Sequence, residues 1–377
     1  MKKKIAILTQ PLGQNYGGLM QAWALQQVLK RLGWDVVTID RQWNKKTALY
    51  LLVRVAYRAI AKLLGKRKAP IFIEKAEPII FQYTRNFLAS HIVMSESLHS
   101  TTQLLQHFEK AEYDGVIVGS DQTWRPKYSP CIENFYLDFL KENKIKKIAY
   151  ASSFGVDEWE YSPAQTKTCA ELACLFDAVS VREDSGVDLC KKYFGIEAEH
   201  VLDPTLLLTQ EDYKKLIGEQ RLSKTQSGIY TYILDKTTDK ENFIHKITDQ
   251  LNESVFNCQA KTKLADSKSV EDCIMPDPKD WLAGFANAKY VITDSFHGMV
   301  YAITFNKPFL VIGNKDRGIA RFTSLLQKLD LSERLIFDLN TDYEFLDNIN
   351  WDNVESLKKS HIKHSMNFLQ KAIKCQP

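Results

Sequence analysis

The chain has 377 residues, of which 45% are hydrophobic and 25% charged, with 16 glycines and 11 prolines. This composition excludes a globally disordered chain and a collagen-like repeat, and the length suits two ordinary domains. The 50 Lys and Arg residues against 46 Asp and Glu give a net charge of +4, too small to indicate a nucleic-acid-binding protein.

The amino-terminal run Lys4–Leu8 predicts a buried parallel strand and is too short for the apolar region of a signal peptide. A helix is predicted from about Leu19 to a stop at Gly33, and Val36–Ile39 then completes a β-α-β unit. The seven cysteines are an odd number without C-x-x-C spacing, so neither a disulfide framework nor a zinc site is expected. No stretch reaches the eighteen or so apolar residues of a membrane-spanning helix. A cytoplasmic location is therefore predicted.

Residues 41–69 carry nine basic residues and no Asp or Glu, so the rest of the chain is net acidic. Arg54, Arg58 and Lys62 recur every fourth residue, which predicts one cationic stripe on a helix whose remaining surface is apolar. Such a helix could lie in the interface of an anionic membrane. It could equally pack on the domain with a solvated basic face, and the sequence alone does not separate the two interpretations.

Strand and helix patterns alternate along the rest of the chain. In the first half, further strands are predicted at 115–118, 148–151, 178–181 and 200–202. A polar segment, 211–227, marks a domain boundary, after which strands are predicted at 228–234, 255–256, 290–292 and 308–312 and a last helix at 353–373. This alternation predicts mostly parallel sheets with helices on both faces, in two doubly wound α/β domains with a ligand cleft at the carboxyl ends of their strands.

The loop after the first strand, 10–18, is rich in glycine and ends at a helix N-terminus, where free N–H groups favour an anion. It lacks the lysine of a P-loop and the G-x-G-x-x-G spacing. The glycines could serve only a tight turn, but Asn15 and Tyr16 favour a polar ligand site.

The segment Gly119–Trp124 directly follows a predicted strand. The Asp121 carboxylate could deprotonate a sugar hydroxyl, the Gln122 amide could bind the sugar, and the Trp124 indole could stack on its ring. Ser120 and Asp121 are also common turn and N-cap residues, so the alternative is a purely structural loop.

Arg182 ends the strand at 178–181 and offers a bidentate partner to a carboxylate or phosphate. An ion pair with Glu183 or Asp184 is an equally good interpretation. Asp203 follows the next strand, but Asp-Pro is a common turn, and we expect a structural role there.

The most informative motif follows the strand at 290–292. Asp294 or Ser295 can cap the next helix, which places Phe296, His297 and Gly298 in a first turn with free N–H groups. A histidine there can donate to an anion or shuttle a proton near neutral pH. A lone histidine is more often structural, but this position is unusual for packing and favours function.

Together these motifs resemble the polysaccharide pyruvyl transferase family. The matching segments lie in the family's order over about residues 4–312: they are 15–25, 119–124, 151–155, 180–183, 201–205 and 294–298. The resemblance implies two Rossmann-like domains of the GT-B glycosyltransferase type. We expect domains at 1–210, on the acceptor side with a basic insertion at 41–69, and at 228–345, on the donor side, with a C-terminal helix at 346–377 that packs back on the first domain.

The resemblance also implies transfer of the enolpyruvyl group of phosphoenolpyruvate to two hydroxyls of one sugar, giving a cyclic ketal and phosphate. Phosphoenolpyruvate is a co-substrate, and neither a cofactor nor a metal is expected. His297 would be the donor-side acid or phosphate ligand and Asp121 the acceptor-side base. The expected donor-binding residues are Arg182, Ser295, Phe296, His297 and Gly298. The expected acceptor-binding residues are Asn15, Tyr16, Gly17, Gly18, Asp121, Gln122 and Trp124.

The acceptor implied by the resemblance is a sugar in a capsular or exopolysaccharide repeat unit, which is commonly carried on a lipid. Residues 45–68 would then contact the inner face of the plasma membrane, and no nucleic acid is expected as a partner. Two alternatives remain at this point: a GT-B glycosyltransferase that uses a nucleotide sugar, and a non-catalytic sugar-binding relative.

Overall fold

Two parallel sheets organise the chain in the computed structural model, which describes residues 3–267, 269–313, 318–341 and 348–374. The first sheet has the order β3-β2-β1-β4-β5-β6-β7, with every neighbouring pair parallel. Its strands are β1 (Lys4–Leu8), β2 (Asp35–Arg41), β3 (Met94–Leu98), β4 (Gly115–Gly119), β5 (Lys146–Ser152), β6 (Ala178–Val181) and β7 (Glu199–His200).

The second sheet has the order β12-β11-β10-β8-β9 and is also parallel throughout. Its strands are β8 (Ile229–Tyr232), β9 (Val255–Phe256), β10 (Tyr290–Thr293), β11 (Phe309–Ile312) and β12 (Leu335–Ile336). The predicted alternation is therefore confirmed, although β3, a short polar edge strand, was not predicted. The predicted boundary between residues 345 and 346 lies outside the described residues, as do the chain ends at 1–2 and 375–377.

Helices connect the strands. In the first half they are α1 (Tyr16–Arg31), α2 (Ala48–Leu63), α3 (Ile73–Ile80), α4 (Gln82–His91), α5 (Thr101–Lys110), α6 (Pro163–Ala173) and α7 (Asp184–Leu189). In the second half they are α8 (Gln210–Ile217), α9 (Glu219–Lys224), α10 (Thr238–Leu251), α11 (Pro278–Asn287), α12 (Phe296–Thr304), α13 (Ala320–Lys328) and α14 (Trp351–Lys374).

The last helix, α14, contacts the first sheet. The Phe368 ring lies 6.3 Å from that of Tyr150 on β5, and the backbone N–H of Leu202 donates to Ser365 Oγ at 2.9 Å. The chain thus returns, after the second sheet, to cover part of the first.

Helix α1 begins three residues earlier than predicted. Asn15 caps it, because its Oδ1 accepts a hydrogen bond from the backbone N–H of Gly17 at 2.9 Å. Gly17 and Gly18 are therefore buried in the first helical turn rather than in the preceding loop.

The basic segment forms a helix, α2, in which the predicted cationic stripe is exposed at two of its three residues. Arg58 is buried and ion-paired to Glu74 of α3 at 2.9 Å, whereas Arg54 and Lys62 of the same stripe are exposed. The opposite side of α2 is apolar and exposed. The stripe is interrupted at Arg58 because this residue pairs with Glu74, sixteen residues further along the chain.

Strand order sets the place of the candidate site. In the first sheet the order reverses between β1 and β4, and in the second it reverses between β8 and β10. Crevices open at the carboxyl ends of strands at such switch points, where ligands bind in open α/β sheets. The loops that follow these four strands carry the segments 10–18, 119–124, 233–237 and 294–298.

Candidate functional site

Both switch points border one small polar pocket of about 90 Å³. The first-sheet side contributes Asn15, Asp121, Gln122 and Tyr128. The second-sheet side contributes Tyr232, Leu234, Asp294, Ser295, Phe296 and His297. Arg321 and Phe322 of α13 close it. The structure thus brings together in one pocket half of the predicted site residues, which came from separate motifs: Asn15, Asp121, Gln122, Ser295, Phe296 and His297.

Asp203 lies at the centre of the charged groups around this pocket. Its Oδ2 accepts hydrogen bonds from Arg182 Nη1 at 2.7 Å and Ser120 Oγ at 2.9 Å, and lies 3.7 Å from His297 Nε2. Burial alone would raise the pKa of Asp203, but His297 and Arg182 hold it well below its usual range, so Asp203 is a carboxylate at neutral pH. We expected only a turn here. Its place after a parallel strand of the first sheet was the available signal.

His297 is buried in the first turn of α12, where it approaches the first turn of α1. A Cβ atom on Gly17 would lie only 2.0 Å from His297 Nδ1, so only glycine leaves room for this imidazole. Gly17 therefore has a steric role toward the histidine. The sequence analysis had assigned Gly17 to acceptor binding.

Two guanidinium groups pack on Phe296. The Cζ atoms of Arg182 and Arg321 lie 4.6 Å and 5.7 Å from the ring centroid. Arg182 is 3% exposed, and its Nη1 donates a hydrogen bond to Asp203. Its partner is therefore Asp203 rather than Glu183 or Asp184, the partners considered from the sequence.

Arg321, which lines the pocket, was missed because nothing in its local sequence marks it. Burial, and then the charge of Arg182, lower its pKa to about 10, so it remains cationic at neutral pH. Arg321 and His297 thus provide basic groups at the pocket, with Arg182 adjoining them.

Asp121 faces these basic side chains from the first sheet. Its φ is +63°, and its Oδ1 accepts from the Gln122 N–H at 2.9 Å and lies 3.6 Å from Arg182 Nη2. The Gln122 side chain accepts from Arg125 Nη1 at 3.0 Å, which fixes its orientation. A carboxylate and an amide thus lie at the pocket in defined positions.

Trp124 does not reach the pocket. Its indole is fully buried, stacks on Tyr136 with centroids 4.9 Å apart, and donates from Nε1 to the Phe135 carbonyl at 3.0 Å. The prediction that Trp124 stacks on an acceptor sugar is therefore wrong. The chain turns back after Asp121, because Ser120 and Asp121 both have positive φ, and this turn directs the indole into the core.

The helix N-terminus behind His297 is held by buried polar contacts. Ser295 caps α12 through a hydrogen bond that its Oγ accepts from the Gly298 N–H at 3.4 Å. Asp294 accepts hydrogen bonds from the N–H groups of Leu234 and Asp235 and from Lys240 Nζ at 2.7 Å, which ties the loop after β8 to the loop after β10. Asp294 is thus fully engaged in positioning these loops.

A larger cleft of about 820 Å³ adjoins the pocket and shares Asn15, Tyr232 and Leu234 with it. Tyr16 lines this cleft, stacks on Trp281 with centroids 5.1 Å apart, and donates to the Pro276 carbonyl at 2.7 Å. Tyr16 therefore joins the first and second halves of the chain beside the cleft.

Within residues 3–267, 269–313, 318–341 and 348–374, no group of three or more His, Cys, Asp or Glu side chains could hold a metal ion. Among the helices that the structure describes, none has the length and apolar character needed to span a bilayer.

Comparison with solved structures identifies the fold. The chain is similar to Arabidopsis thaliana UGT89C1 complexed with UDP-L-rhamnose, at 10% identity and a TM-score of 0.53, over 99% of this chain and 98% of that one. It is also similar to the glycotransferase of kitacinnamycin, at 12% identity and a TM-score of 0.51, over 98% and 97% of the two chains. Both are glycosyltransferases of the GT-B fold, which confirms the predicted fold class.

Comparison with curated proteins gives no match. A sequence model described as polysaccharide pyruvyl transferase matches residues 15–316, a range that contains the pocket residues from Asn15 to His297. The chain belongs to the polysaccharide pyruvyl transferase family.

Proposed function

We propose that this protein transfers the enolpyruvyl group of phosphoenolpyruvate onto two hydroxyls of one sugar, forming a ketal and releasing phosphate. The observation that carries the proposal is the pocket itself, where His297 and Arg321 from the second half of the chain face Asp121 from the first. A small polyanion can enter from one side and a sugar from the adjoining cleft.

Phosphoenolpyruvate carries a carboxylate and a phosphate on a three-carbon skeleton. The first turn of α12, with Ser295 and Gly298, favours an anion through its helix dipole. Arg321 provides a planar fork for the second anionic group. Arg182 supports this arrangement by packing on Phe296 from within the protein.

The chemistry needs one proton donor and one base. The first hydroxyl adds to C2 of phosphoenolpyruvate while C3 takes up a proton, so the double bond becomes a methyl-bearing tetrahedral carbon. The C2–O bond to phosphate then breaks, and the second hydroxyl attacks the cation-like C2 to close the ketal. Two hydroxyl protons are lost and one is gained at C3, so one net proton leaves with the phosphate.

His297 serves as the donor-side acid or phosphate ligand, with Asp203 as its counter-charge at 3.7 Å. Asp121 takes the proton of an attacking hydroxyl, because it is the carboxylate that faces the pocket from the acceptor side. Asn15, Tyr16 and Gln122 contact the acceptor, while Gly17 and Gly18 form the helix turn beneath it.

The acceptor is a sugar of a capsular or exopolysaccharide repeat unit that is carried on a lipid. The enzyme works in the cytoplasm and reaches this acceptor at the inner face of the plasma membrane, which it contacts through residues 45–68. The cleft of about 820 Å³ offers room for several sugar units beside the pocket.

The test combines the purified protein with phosphoenolpyruvate and candidate glycans, and measures phosphate release and glycan mass. His297→Ala and Asp121→Asn should each abolish turnover without unfolding the protein. Asparagine tolerates the positive φ of residue 121, so this variant removes only the charge. Arg321→Met should raise the KM for phosphoenolpyruvate about tenfold or more, because a charge-assisted hydrogen bond is lost.

His245→Ala is the matched control, since His245 is exposed on α10 and should leave the rate unchanged. Near-normal turnover in His297→Ala or Asp121→Asn would refute the role given to that residue. Transfer of a sugar from a nucleotide sugar, without phosphate release from phosphoenolpyruvate, would refute the proposal and show that the protein is a GT-B glycosyltransferase. Glycan binding without turnover of either donor would indicate a non-catalytic relative.

A further inference from the structure

Helix α2 presents an apolar face to solvent along its whole length. Leu63 is 87% exposed, Leu49 is 71% exposed and Leu52 is 68% exposed. Val53 and Ile60 lie on the same side and are also more than half exposed. At 100° per residue these side chains lie opposite Arg58, the only buried residue of the helix. An apolar strip about 21 Å long is thus left without cover in the described chain.

Cations border this apolar strip. Lys45 and Lys46 precede α2, and Lys66 and Lys68 follow it, all exposed. Arg54 and Lys62 are also exposed along its flanks, from which long side chains can extend away from the protein body. No Asp or Glu lies between residues 41 and 69, and Arg58 is already paired with Glu74. The segment that contains the strip therefore carries exposed basic side chains and no acidic ones.

Three exposed aromatic residues complete the pattern. Trp43 lies just before α2, and Tyr50 and Tyr57 lie on it, with exposed fractions between 44% and 65%. Tryptophan and tyrosine rings favour the level of lipid headgroups, because they are apolar with one polar atom.

We infer that α2 lies in the plane of an anionic lipid bilayer, with Leu49, Leu52, Val53, Ile60 and Leu63 among the acyl chains. This arrangement buries the apolar strip and places the cations among anionic headgroups. A second copy of the chain is a poorer partner, because it would bring two positive surfaces together. Charge complementarity thus selects the bilayer.

The same helix is coupled to the candidate site. Arg58 of α2 pairs with Glu74 at the start of α3, and Glu77 and Ile80 of α3 line the large cleft. A bilayer in contact with the opposite side of α2 is therefore one helix away from α3, which forms one wall of the cleft. Resting on the proposed function, this names the acceptor class as an amphiphilic glycan that enters the cleft from the membrane surface.

The full-length protein should co-sediment with vesicles of phosphatidylcholine mixed with phosphatidylglycerol, and much less with vesicles of phosphatidylcholine alone. The double variant Leu52→Glu/Ile60→Glu should lower the partition coefficient at least tenfold, because both carboxylates would enter the apolar layer. Leu52→Ser/Ile60→Ser should lower it in the same direction without adding charge. Replacing Lys45 and Lys46 by Gln should lower it about fivefold per lysine.

The matched control is Leu105→Glu/Leu175→Glu, which makes the same change at two exposed leucines outside α2. It should bind vesicles like the wild-type protein, and an equal loss in this control would overturn the inference. Failure of the wild-type protein to bind anionic vesicles would also overturn it. A third result would overturn the inference. In it, light scattering shows that the wild-type protein is a dimer, and Leu52→Glu/Ile60→Glu converts the dimer to a monomer without any change in vesicle binding.

Activity separates this inference from the proposed function. Leu52→Glu/Ile60→Glu should turn over a water-soluble glycan at the wild-type rate, but a glycan on polyprenyl diphosphate in anionic vesicles about tenfold more slowly. Equal rates on the vesicle-bound glycan would refute membrane access to the cleft. Vesicle binding by a protein that releases no phosphate from phosphoenolpyruvate would support the docking surface while refuting the proposed function.

Discussion

At the level of single residues, the candidate site depends on the space that Gly17 leaves for His297. The histidine belongs to the second half of the chain and the glycine to the first, so this contact brings the two halves together at the pocket. The glycine is needed because of a neighbour about 280 residues away in sequence.

Gly17→Ala should lower kcat/KM about a hundredfold, because the new Cβ would lie 2.0 Å from His297 Nδ1 and the imidazole must move. Alanine favours a helix more than glycine does, so α1 itself should not be weakened. Steady-state kinetics and the thermal midpoint of each variant would check this.

Gly18→Ala is the comparison, since its Cβ would lie 3.6 Å from the nearest atom, an ordinary contact. This variant should lower kcat/KM by less than tenfold. Equal losses in the two variants would show that the first turn of α1 tolerates no side chain at all, and that the contact with His297 is not the cause.

Several site residues were predictable because they follow parallel strands, whose carboxyl ends meet at one edge of a sheet. Asp121 and His297 belong to this group. Asp203 also follows a strand, but its central role depends on which strands become neighbours, and a local pattern does not carry that information. Arg321 follows no strand and lies in the first turn of α13, so only the folded chain brings it to the pocket.

At the level of elements, helical periodicity predicted α2 but not which side of it faces the protein. The every-fourth-residue spacing of Arg54, Arg58 and Lys62 on one helix was correct, whereas the burial of Arg58 depends on an ion pair with Glu74 in another helix. A cationic side chain on a helix is more often solvated, whereas Arg58 is buried because Glu74 neutralises its charge. Strand β3 escaped prediction because its sequence, MSESL, is polar and half exposed.

His200 contacts two separate segments of the chain, and its buried position predicts that the stability of the fold depends on pH. Its Nε2 lies 3.1 Å from the Arg182 carbonyl and 3.2 Å from Ser324 Oγ of α13. Burial, and then the charge of Lys328, lower its pKa from 6.5 to about 4. Between these two values the unfolded chain binds more protons, so stability should fall as the pH decreases from about 6.5 to about 4.

The loss attributable to His200 should be about 2–3 kcal/mol over this window, and His200→Gln should remove it. Urea unfolding at pH 7 and pH 4.5 measures the difference for each protein. The exposed His245→Gln variant should keep the wild-type slope. A His200→Gln variant with the wild-type slope would contradict this assignment.

At the level of the whole molecule, one hydrophobic core runs through both halves. The same cluster contains Ile5 and Tyr150 from the first sheet and Tyr230 and Val291 from the second. Two domains that share a large apolar core are expected to unfold together, whereas small polar interfaces leave domains independent.

Scanning calorimetry should therefore show a single unfolding transition for the full chain. The Tyr16 and Trp281 rings lie within this shared core, so Trp281→Ala should lower the midpoint of that transition as a whole. Two separated transitions in the wild-type protein, of which only one responds to Trp281→Ala, would show that the halves unfold separately.

The docking of α14 on the first sheet bears on biosynthesis. Ribosomes release the chain from the amino end, so all seven strands of the first sheet emerge at least 150 residues before the helix that covers Tyr150 and the backbone of Leu202. Domains generally fold as they emerge from the ribosome. The first sheet, however, would keep an apolar face uncovered until translation is nearly complete. Nascent chains stalled before residue 351 should bind a chaperone that captures apolar surfaces.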